Sequence, residues 1–212
     1  MWYTRCIGMD HKKTSQLPTN YQKHQTKNPV QRFLIDGFYR AFFACAREAS
    51  PVRILDAGCG EGFTLHKLRE ERIGKTSIGI EYSSDSRRLG KKLFPEVDIR
   101  PGDIYHIQWK RDSFDLVVCT EVLEHLTDPS KALLELGRVS SAHILLSVPN
   151  EPWFMLSNFL RGKYLSRWGN HPEHINHWST AAFIRFVEGH GYTIQKIAHP
   201  FPWTVILAKK AR

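Results

Sequence analysis

From residue 52 onward the chain alternates short aliphatic, β-branched runs with stretches whose apolar residues recur at helical spacing. The candidate strands are "VRILDA" (52–57), "SIGIEY" (77–82), "VDIR" (97–100), "DLVVCT" (115–120) and "HILLSVP" (143–149). Between them, "EGFTLHKLREE" and "DPSKALLELGRV" read as helices, the second with Asp128 as N-cap and Pro129 at the first helical position. Such alternation predicts right-handed βαβ units around a parallel, doubly wound sheet. The end of the chain differs. "YTIQKIA" and "WTVILAKKA" are separated by little more than "HPFP", which predicts an antiparallel pair. Ahead of the sheet, 28–49 predicts an amphipathic helix capped by Asn28 with Pro29 behind it. The segment 150–178 fits neither element type and is far too long for an ordinary connection, so a functional role is expected for it. The last helix is expected to start at Ser179.

A chain of 212 residues fits one domain with a sizeable core. Hydrophobic residues at 42% and charged residues at 24% are ordinary for a globular protein, and no apolar run approaches a membrane span. The first twenty or so residues lack the apolar centre of a secretory signal and read as a loose polar tail. Cys6, Cys45, Cys59 and Cys119 form no C-x-x-C pair. They read as reduced thiols of a cytoplasmic protein without structural zinc. The net charge of +9 is concentrated in "HKK", "RRLGKK", "RGKYLSR" and "KKAR". It suits nucleic acid, anionic lipid or an acidic substrate, and equally a solvated surface; charge alone does not choose.

The first strand runs into "LDAGCGEGF", where Gly58, Gly60 and Gly62 let the backbone turn sharply and approach a ligand at a helix N-terminus. The spacing is G-x-G-x-G, and Phe63 stands where a dinucleotide fingerprint needs its third glycine, which disfavours an NAD-linked oxidoreductase. Glu81 ends the second strand, where a carboxylate can take both hydroxyls of a ribose. Asp103 follows the third strand, within reach of an adenine amino group. Each acid alone is equally a surface or capping carboxylate; their joint placement on successive strand ends is what argues for a nucleoside.

With these residues in view, the chain resembles the class I S-adenosylmethionine-dependent methyltransferases, and among them the ubiquinone and menaquinone biosynthesis type. "ILDAGCGEG", "GIEYS", "GDI" and "FDLVVCTEVLEHL" match the motifs of that group in order, over roughly residues 28–210. The resemblance implies an α/β fold: a doubly wound Rossmann-like sheet of seven strands, mostly parallel with an antiparallel last strand, helices on both faces and a helical insert after the fifth strand. It implies a methyltransferase domain over 28–212 with a substrate-cap insert at 150–178. The tail 1–27 would serve as a cofactor lid, from which Tyr21 or Lys27 would reach the cofactor carboxylate. Asp56 and the loop Gly58, Cys59, Gly60, Gly62 would hold the methionine half of S-adenosyl-L-methionine. Glu81 would bind the ribose with Tyr82 beside it. Asp103 and Ile104 would bracket the adenine, and Thr120 and Glu121 would line the floor near the sulfonium.

At the end of the fourth strand stand Glu121, Glu124 and His125. If a helical turn begins at Glu121, the other two share its face at i+3 and i+4. Two carboxylates and an imidazole suit Mg²⁺ or Mn²⁺, with a further ligand wanted from His171, His174 or His177 in "NHPEHINHWS". The arrangement is similar to the E-x-x-E-H turn and later histidine of ubiquinone-type O-methyltransferases, and to the metal-holding set of the methyltransferases that modify the terminal ribose of small RNAs. His174 matches the late histidine of both. Three roles stand side by side: Glu121, Glu124, His125 and His174 as metal ligands, His125 and His174 as catalytic base or hydrogen-bonding groups, or a purely structural turn.

The insert places Trp153, Phe154, Met155, Leu156, Phe159 and Leu160 ahead of Arg161, Lys163 and Arg167. An apolar face with basic flanks suits a lid over an apolar or aromatic acceptor and contact with an anionic membrane surface; it equally suits a core-completing helix or a dimer contact. The expected activity is methyl transfer to an oxygen, ahead of nitrogen or carbon, of a quinone-like, lipid or glycosidic small molecule. The rivals are an RNA ribose methyltransferase and a non-catalytic S-adenosylmethionine-binding regulator.

Overall fold

The computed structural model describes residues 19–160, 168 and 174–210. The sequence readings at Cys6, Arg161, Lys163, Arg167 and His171 lie outside the described residues. Seven strands form one sheet: β1 (Arg53–Ala57), β2 (Thr76–Glu81), β3 (Asp98–Pro101), β4 (Phe114–Thr120), β5 (Ser140–Pro149), β6 (Tyr192–Ala198) and β7 (Trp203–Lys210). Their order is β3-β2-β1-β4-β5-β7-β6. The pairs β1–β2, β1–β4, β2–β3 and β4–β5 are parallel, whereas β7 is antiparallel to both β5 and β6. The mostly parallel sheet with a reversed last strand is therefore the one the sequence predicts.

Its central strands are buried on both faces, as parallel strands must be when helices cover each side. Successive residues point to opposite faces. Ile54, Leu116, Val118 and Leu145 join Phe38, Phe42 and Ala46 of α2 (Pro29–Glu48) in one core, together with Leu68 of α3 (Phe63–Glu70). Leu55, Val117, Cys119 and Ile144 join Leu133 and Leu136 of α5 (Pro129–Val139) and Phe183 of α7 (Thr180–Glu188) in the other. The helix starts follow their caps. Asn28 accepts from the Val30 and Gln31 N–H groups at 2.9 and 3.2 Å, Asp128 from that of Lys131 at 2.9 Å, and Ser179 from that of Ala182 at 3.3 Å.

Three elements were not specified by the apolar pattern. The helix α4 (Ser84–Leu93) is so polar that its sequence shows only its charge; it seats through Gly90, where a Cβ would lie 2.6 Å from the Glu61 carbonyl oxygen. Within the stretch 1–27, expected as a loose tail, residues 19–24 form α1 (Thr19–His24). A helix that short does not hold itself together. It is fastened by Asn20 Nδ2 donating to Glu61 Oε2 at 2.7 Å and by the His24 ring stacked on Phe63 with centroids 4.1 Å apart. Third, α6 (Trp153–Leu160) is the helix of the insert after β5.

Phe42 is fully buried where α2 meets the sheet. Phe42→Ala is expected to cost about 3–5 kcal/mol, read from the midpoint of denaturant unfolding with an unchanged slope.

Candidate functional site

Strand order reverses between β1 and β4, so the connections leaving their carboxyl ends depart to opposite faces and leave a crevice there, the usual ligand position in open α/β sheets. A cavity of about 550 Å³ occupies that position. Its walls come from α1 and the first turns of α2, the loop after β1, the ends of β4 and α6, His174, and Pro202–Trp203 at the start of β7. Trp203 reaches this edge because the reversed β7 pairs it with Pro149, the last residue of β5.

The loop after β1 turns through three left-handed glycines, Gly58, Gly60 and Gly62. Gly58 has φ +79°, and a Cβ there would lie 2.6 Å from Val122 Cγ2, so no larger residue fits. The Gly58 and Cys59 N–H groups donate to the Ile80 carbonyl at 2.9 and 3.1 Å, binding the loop to β2. Asp56, Gly58, Cys59, Gly60, Thr120, Glu121, His125 and His174 all line the cavity. Asp56 is 1% exposed and its Oδ2 has no hydrogen-bond partner. Burial, with a contribution from the Glu81 charge, pushes its carboxyl up to about 7. A buried carboxylate oxygen beside a glycine cradle fits the α-ammonium of a bound amino acid moiety. On this ground the residues present fit the methionine half of S-adenosylmethionine.

Gly62, Glu81, Tyr82, Asp103 and Ile104 do not line that cavity. Glu81 Oε2 accepts from the Gly60 N–H at 3.0 Å and Oε1 from that of Ser83 at 2.7 Å, so the carboxylate stands against the glycine loop at the end of β2. Burial is the largest influence on Glu81 and raises its proton affinity; the two N–H groups oppose it. Tyr82 is exposed beside it. Asp103 accepts from the Tyr105 N–H at 2.8 Å and closes the turn after β3, while Ile104 packs on the core.

The turn after β4 departs from the sequence expectation. Glu121 does not open a helix: its φ is +58°, and its N–H donates to the Ser147 carbonyl at 3.1 Å, extending the β4–β5 ladder by one residue. Helical character appears only in a 3₁₀ turn at Leu123–His125. Glu121 consequently does not share a helical face with Glu124 and His125. Its Oε1 accepts from Ser147 Oγ at 3.0 Å and its Oε2 from Trp203 Nε1 at 2.6 Å. Burial raises its proton affinity, opposed by the Lys23 charge.

Glu124, His125 and His174 do come together: one ligand atom from each lies within 4.8 Å of the others, and Glu121 is outside that group. Backbone bonding makes the approach possible. The Ile175 and Asn176 N–H groups donate to the Glu124 carbonyl at 2.8 and 3.0 Å. Asn176 Nδ2 donates to the Leu126 carbonyl at 2.7 Å. The His125 and His174 ring centroids lie 5.0 Å apart, and Phe154 stacks on His174 at 5.2 Å. Glu124 is 1% exposed with neither carboxylate oxygen hydrogen-bonded; burial, then the Glu121 charge, raises its proton affinity well above normal. His177 lies against Glu151 instead, with Nδ1 3.7 Å from Oε1.

The sequence reading set a cofactor lid within 1–27 but named the wrong residues for the wall that α1 makes. Tyr21 packs near Phe63 with centroids 6.4 Å apart, and Lys27 lies beyond the helix. Neither lines the cavity, whereas Asn20, Lys23 and His24 do. Those three stand at helical spacing, the one signal that could have found them. Lys23 Nζ sits 4.8 Å over the Trp203 ring, and its charge opposes the raised proton affinity of Glu121 and Glu124. His24 is driven down to about 3 by burial first, then by Lys23 and Lys67, and is a neutral wall of the cavity.

Asp56 generates a pH prediction. Its folded pKa lies above the ordinary 3.8, so the folded chain keeps a proton the unfolded chain releases, and this contribution to stability falls as pH rises from about 4 towards about 7. An ammonium bound beside Asp56 favours the ionised form. Affinity for S-adenosylhomocysteine should therefore rise with pH up to about 7, by about tenfold per unit, with proton release on binding. Calorimetry in buffers of different ionisation enthalpy measures both, and Asp56→Asn should flatten the profile and weaken binding at least about tenfold.

A protein-family profile described as "Methyltransferase domain" matches residues 23–197. A "Probable S-adenosylmethionine-dependent methyltransferase" of Mycolicibacterium smegmatis is 32% identical over 103 residues, 48% of this chain and 39% of that protein. The chain thus spans less than two fifths of the length of such mycobacterial relatives. A ubiquinone biosynthesis O-methyltransferase of Hahella chejuensis is 29% identical over 173 residues, 73% of this chain and 72% of that protein. In fold, the chain is similar to the magnesium protoporphyrin IX methyltransferase of Synechocystis solved with bound S-adenosylhomocysteine. That likeness has a TM-score of 0.65 at 15% identity and covers 91% of this chain and 95% of the other. With the strand order, the glycine loop and the family match in agreement, the chain belongs to the methyltransferase domain family.

Proposed function

We propose that this chain transfers a methyl group from S-adenosylmethionine to a hydroxyl oxygen of a small, apolar or aromatic acceptor. The carrying observation is that one cavity is lined both by the glycine loop with Asp56 and by the His125–His174 pair, with Phe154 stacked on His174 and with Phe38 and Trp203 also in the wall. The relative named for ubiquinone biosynthesis supports a quinone-like acceptor, and a lipid or glycosidic hydroxyl fits the same chemistry.

S-adenosylmethionine, when bound, supplies an activated methyl on a sulfonium. The chain's own part is alignment, exclusion of water and removal of a proton. Glu121, held by Ser147 and Trp203, is a fixed floor between the cofactor end and the acceptor end. Phe38, Phe154 and Trp203 offer apolar walls against which an apolar or aromatic acceptor displaces water. The hydroxyl proton passes to a ring nitrogen of His125 or His174, both of which border the cavity. His125→Ala and His174→Ala should each lower kcat about a hundredfold while S-adenosylhomocysteine affinity stays within about twofold, measured on a catechol or quinol acceptor panel. Cofactor binding with no turnover on that panel, and tight RNA binding that falls steeply with salt, would shift the reading to a nucleic-acid methyltransferase. Cofactor binding without methylation of any acceptor would mark a regulator.

A second reading is favoured by one observation: Glu124 is buried with both carboxylate oxygens unpartnered, beside His125 and His174. Mg²⁺ or Mn²⁺ held by these three would act as Lewis acid and template for neighbouring hydroxyls. Under it, calorimetry of the S-adenosylhomocysteine complex gives micromolar Mn²⁺ binding that Glu124→Gln and His174→Ala abolish. Absence of binding leaves the two histidines as base and positioning group.

A further inference from the structure

The described residues expose twelve large apolar side chains, and six of them sit next in sequence to a residue that lines the cavity. Val30 and Phe33 adjoin Gln31 and Leu34 on α2; Trp153 and Phe159 adjoin Phe154 and Asn158 on α6; Ile175 follows His174, and Phe201 precedes Pro202. Trp168, 77% exposed and stacked on Phe159 with centroids 6.0 Å apart, extends the same rim. Exposed apolar residues are ordinary when scattered, but half of these recur beside the wall of one opening, and such a bias marks an interaction surface.

We infer that this rim docks on an anionic lipid bilayer, with the mouth of the cavity against the membrane. Phe33 is 70% exposed and Trp153 52%, and both aromatics suit the headgroup boundary. Lys27 and Arg32, both exposed, flank Val30 and Phe33. Asp36 is the acid on the next exposed turn. The chain's net charge of +9 adds attraction to anionic headgroups. No described helix is long and apolar enough to cross a membrane, so contact is in the plane of the surface. A second copy of the chain is a poorer occupant, because a twofold contact would bring the Lys27 and Arg32 flanks of two strongly cationic molecules together. Single-stranded nucleic acid would stack its bases on exposed rings, but the aliphatic Val30 and Ile175 of the same set offer no stacking face, whereas both suit a lipid boundary. The inference leans on the methyltransferase reading only for what passes through the mouth: a lipophilic acceptor could move from bilayer to cavity without crossing water.

The test is co-sedimentation of the full chain with phosphatidylcholine vesicles, with and without phosphatidylglycerol, with S-adenosylhomocysteine affinity measured in parallel. Binding is expected to require phosphatidylglycerol and to weaken with salt. It should fall about tenfold for Phe33→Ser and for Trp153→Ser, and several-fold for Arg32→Glu. Leu134→Ser, an equally exposed leucine on α5 away from the rim, should leave it unchanged. Cofactor affinity should be intact in all four variants, which shows that they are folded. No binding to anionic vesicles, or binding indifferent to Phe33 and Trp153, overturns the inference while intact cofactor affinity leaves the methyltransferase reading in place. Self-association lost in the rim variants without vesicle binding overturns it too and makes the rim a contact between copies.

Discussion

Between β1 and β4 the sheet changes direction of growth, and everything at the site follows from that change. The connections after the two strands leave on opposite faces, so no helix fills the space above their carboxyl ends. Into that space come the glycine loop from β1, the turn after β4 and, because β7 runs backwards, the indole of Trp203. The reversal of β7 is thus part of the site. Were β7 parallel, the opposite end of that strand would stand at this edge and Glu121 Oε2 would lose the indole N–H that now holds it at 2.6 Å.

The electrostatics of the cavity run against those of the surface. The surface is cationic overall, while Asp56 and Glu121 line the cavity and Glu124 lies buried behind its His125–His174 wall, each with burial as the largest influence raising its proton affinity. Buried acids with unpaired oxygens destabilise a fold unless something compensates them. Lys23 does so in part for Glu121 and Glu124, reaching over from α1. The remaining demand for positive charge near Asp56 suits a ligand with an ammonium and a sulfonium, one physical reason why a cofactor of that kind would be favoured over a neutral one. The left-handed Glu121 belongs to the same account. Its backbone is held at a sparsely populated positive φ by ladder bonding to Ser147, while Ser147 Oγ and Trp203 Nε1 hold its carboxylate at the cavity wall.

Much of the architecture was legible because it rests on short-range patterning. Aliphatic runs of strand length, capped helix starts at Asn28, Asp128 and Ser179, and the glycine spacing after β1 are local signals, and each element they mark lies within a few residues of its expected bounds. The failures have equally specific causes. α4 carries too little apolar surface to be seen, and it depends on a glycine whose value lies in what it lets approach. α1 has too few turns to show periodicity by itself and is helical because Phe63 and Glu61 hold it. A helix starting at Glu121 was reasonable from spacing, but a ladder bond to a strand twenty-six residues away overrode it.

The amino-acid sequence by itself determined the fold class, the order of the strands and of the helices α2, α3, α5 and α7, the loop for the cofactor and the candidate acids at the strand ends, because these depend on periodicity, caps and backbone freedom within short windows. Only the tertiary structure decided which candidates meet. His174, which the motif resemblance had set with Glu124 and His125, reaches them through backbone bonds from Ile175 and Asn176 to the Glu124 carbonyl. Lys23 takes the cation's place beside the acids, and Glu121 leaves the histidine cluster for Ser147 and Trp203. Contacts of this kind depend on how the sheet brings distant segments to one edge, and that is fixed by packing of the whole core rather than by any stretch of chain.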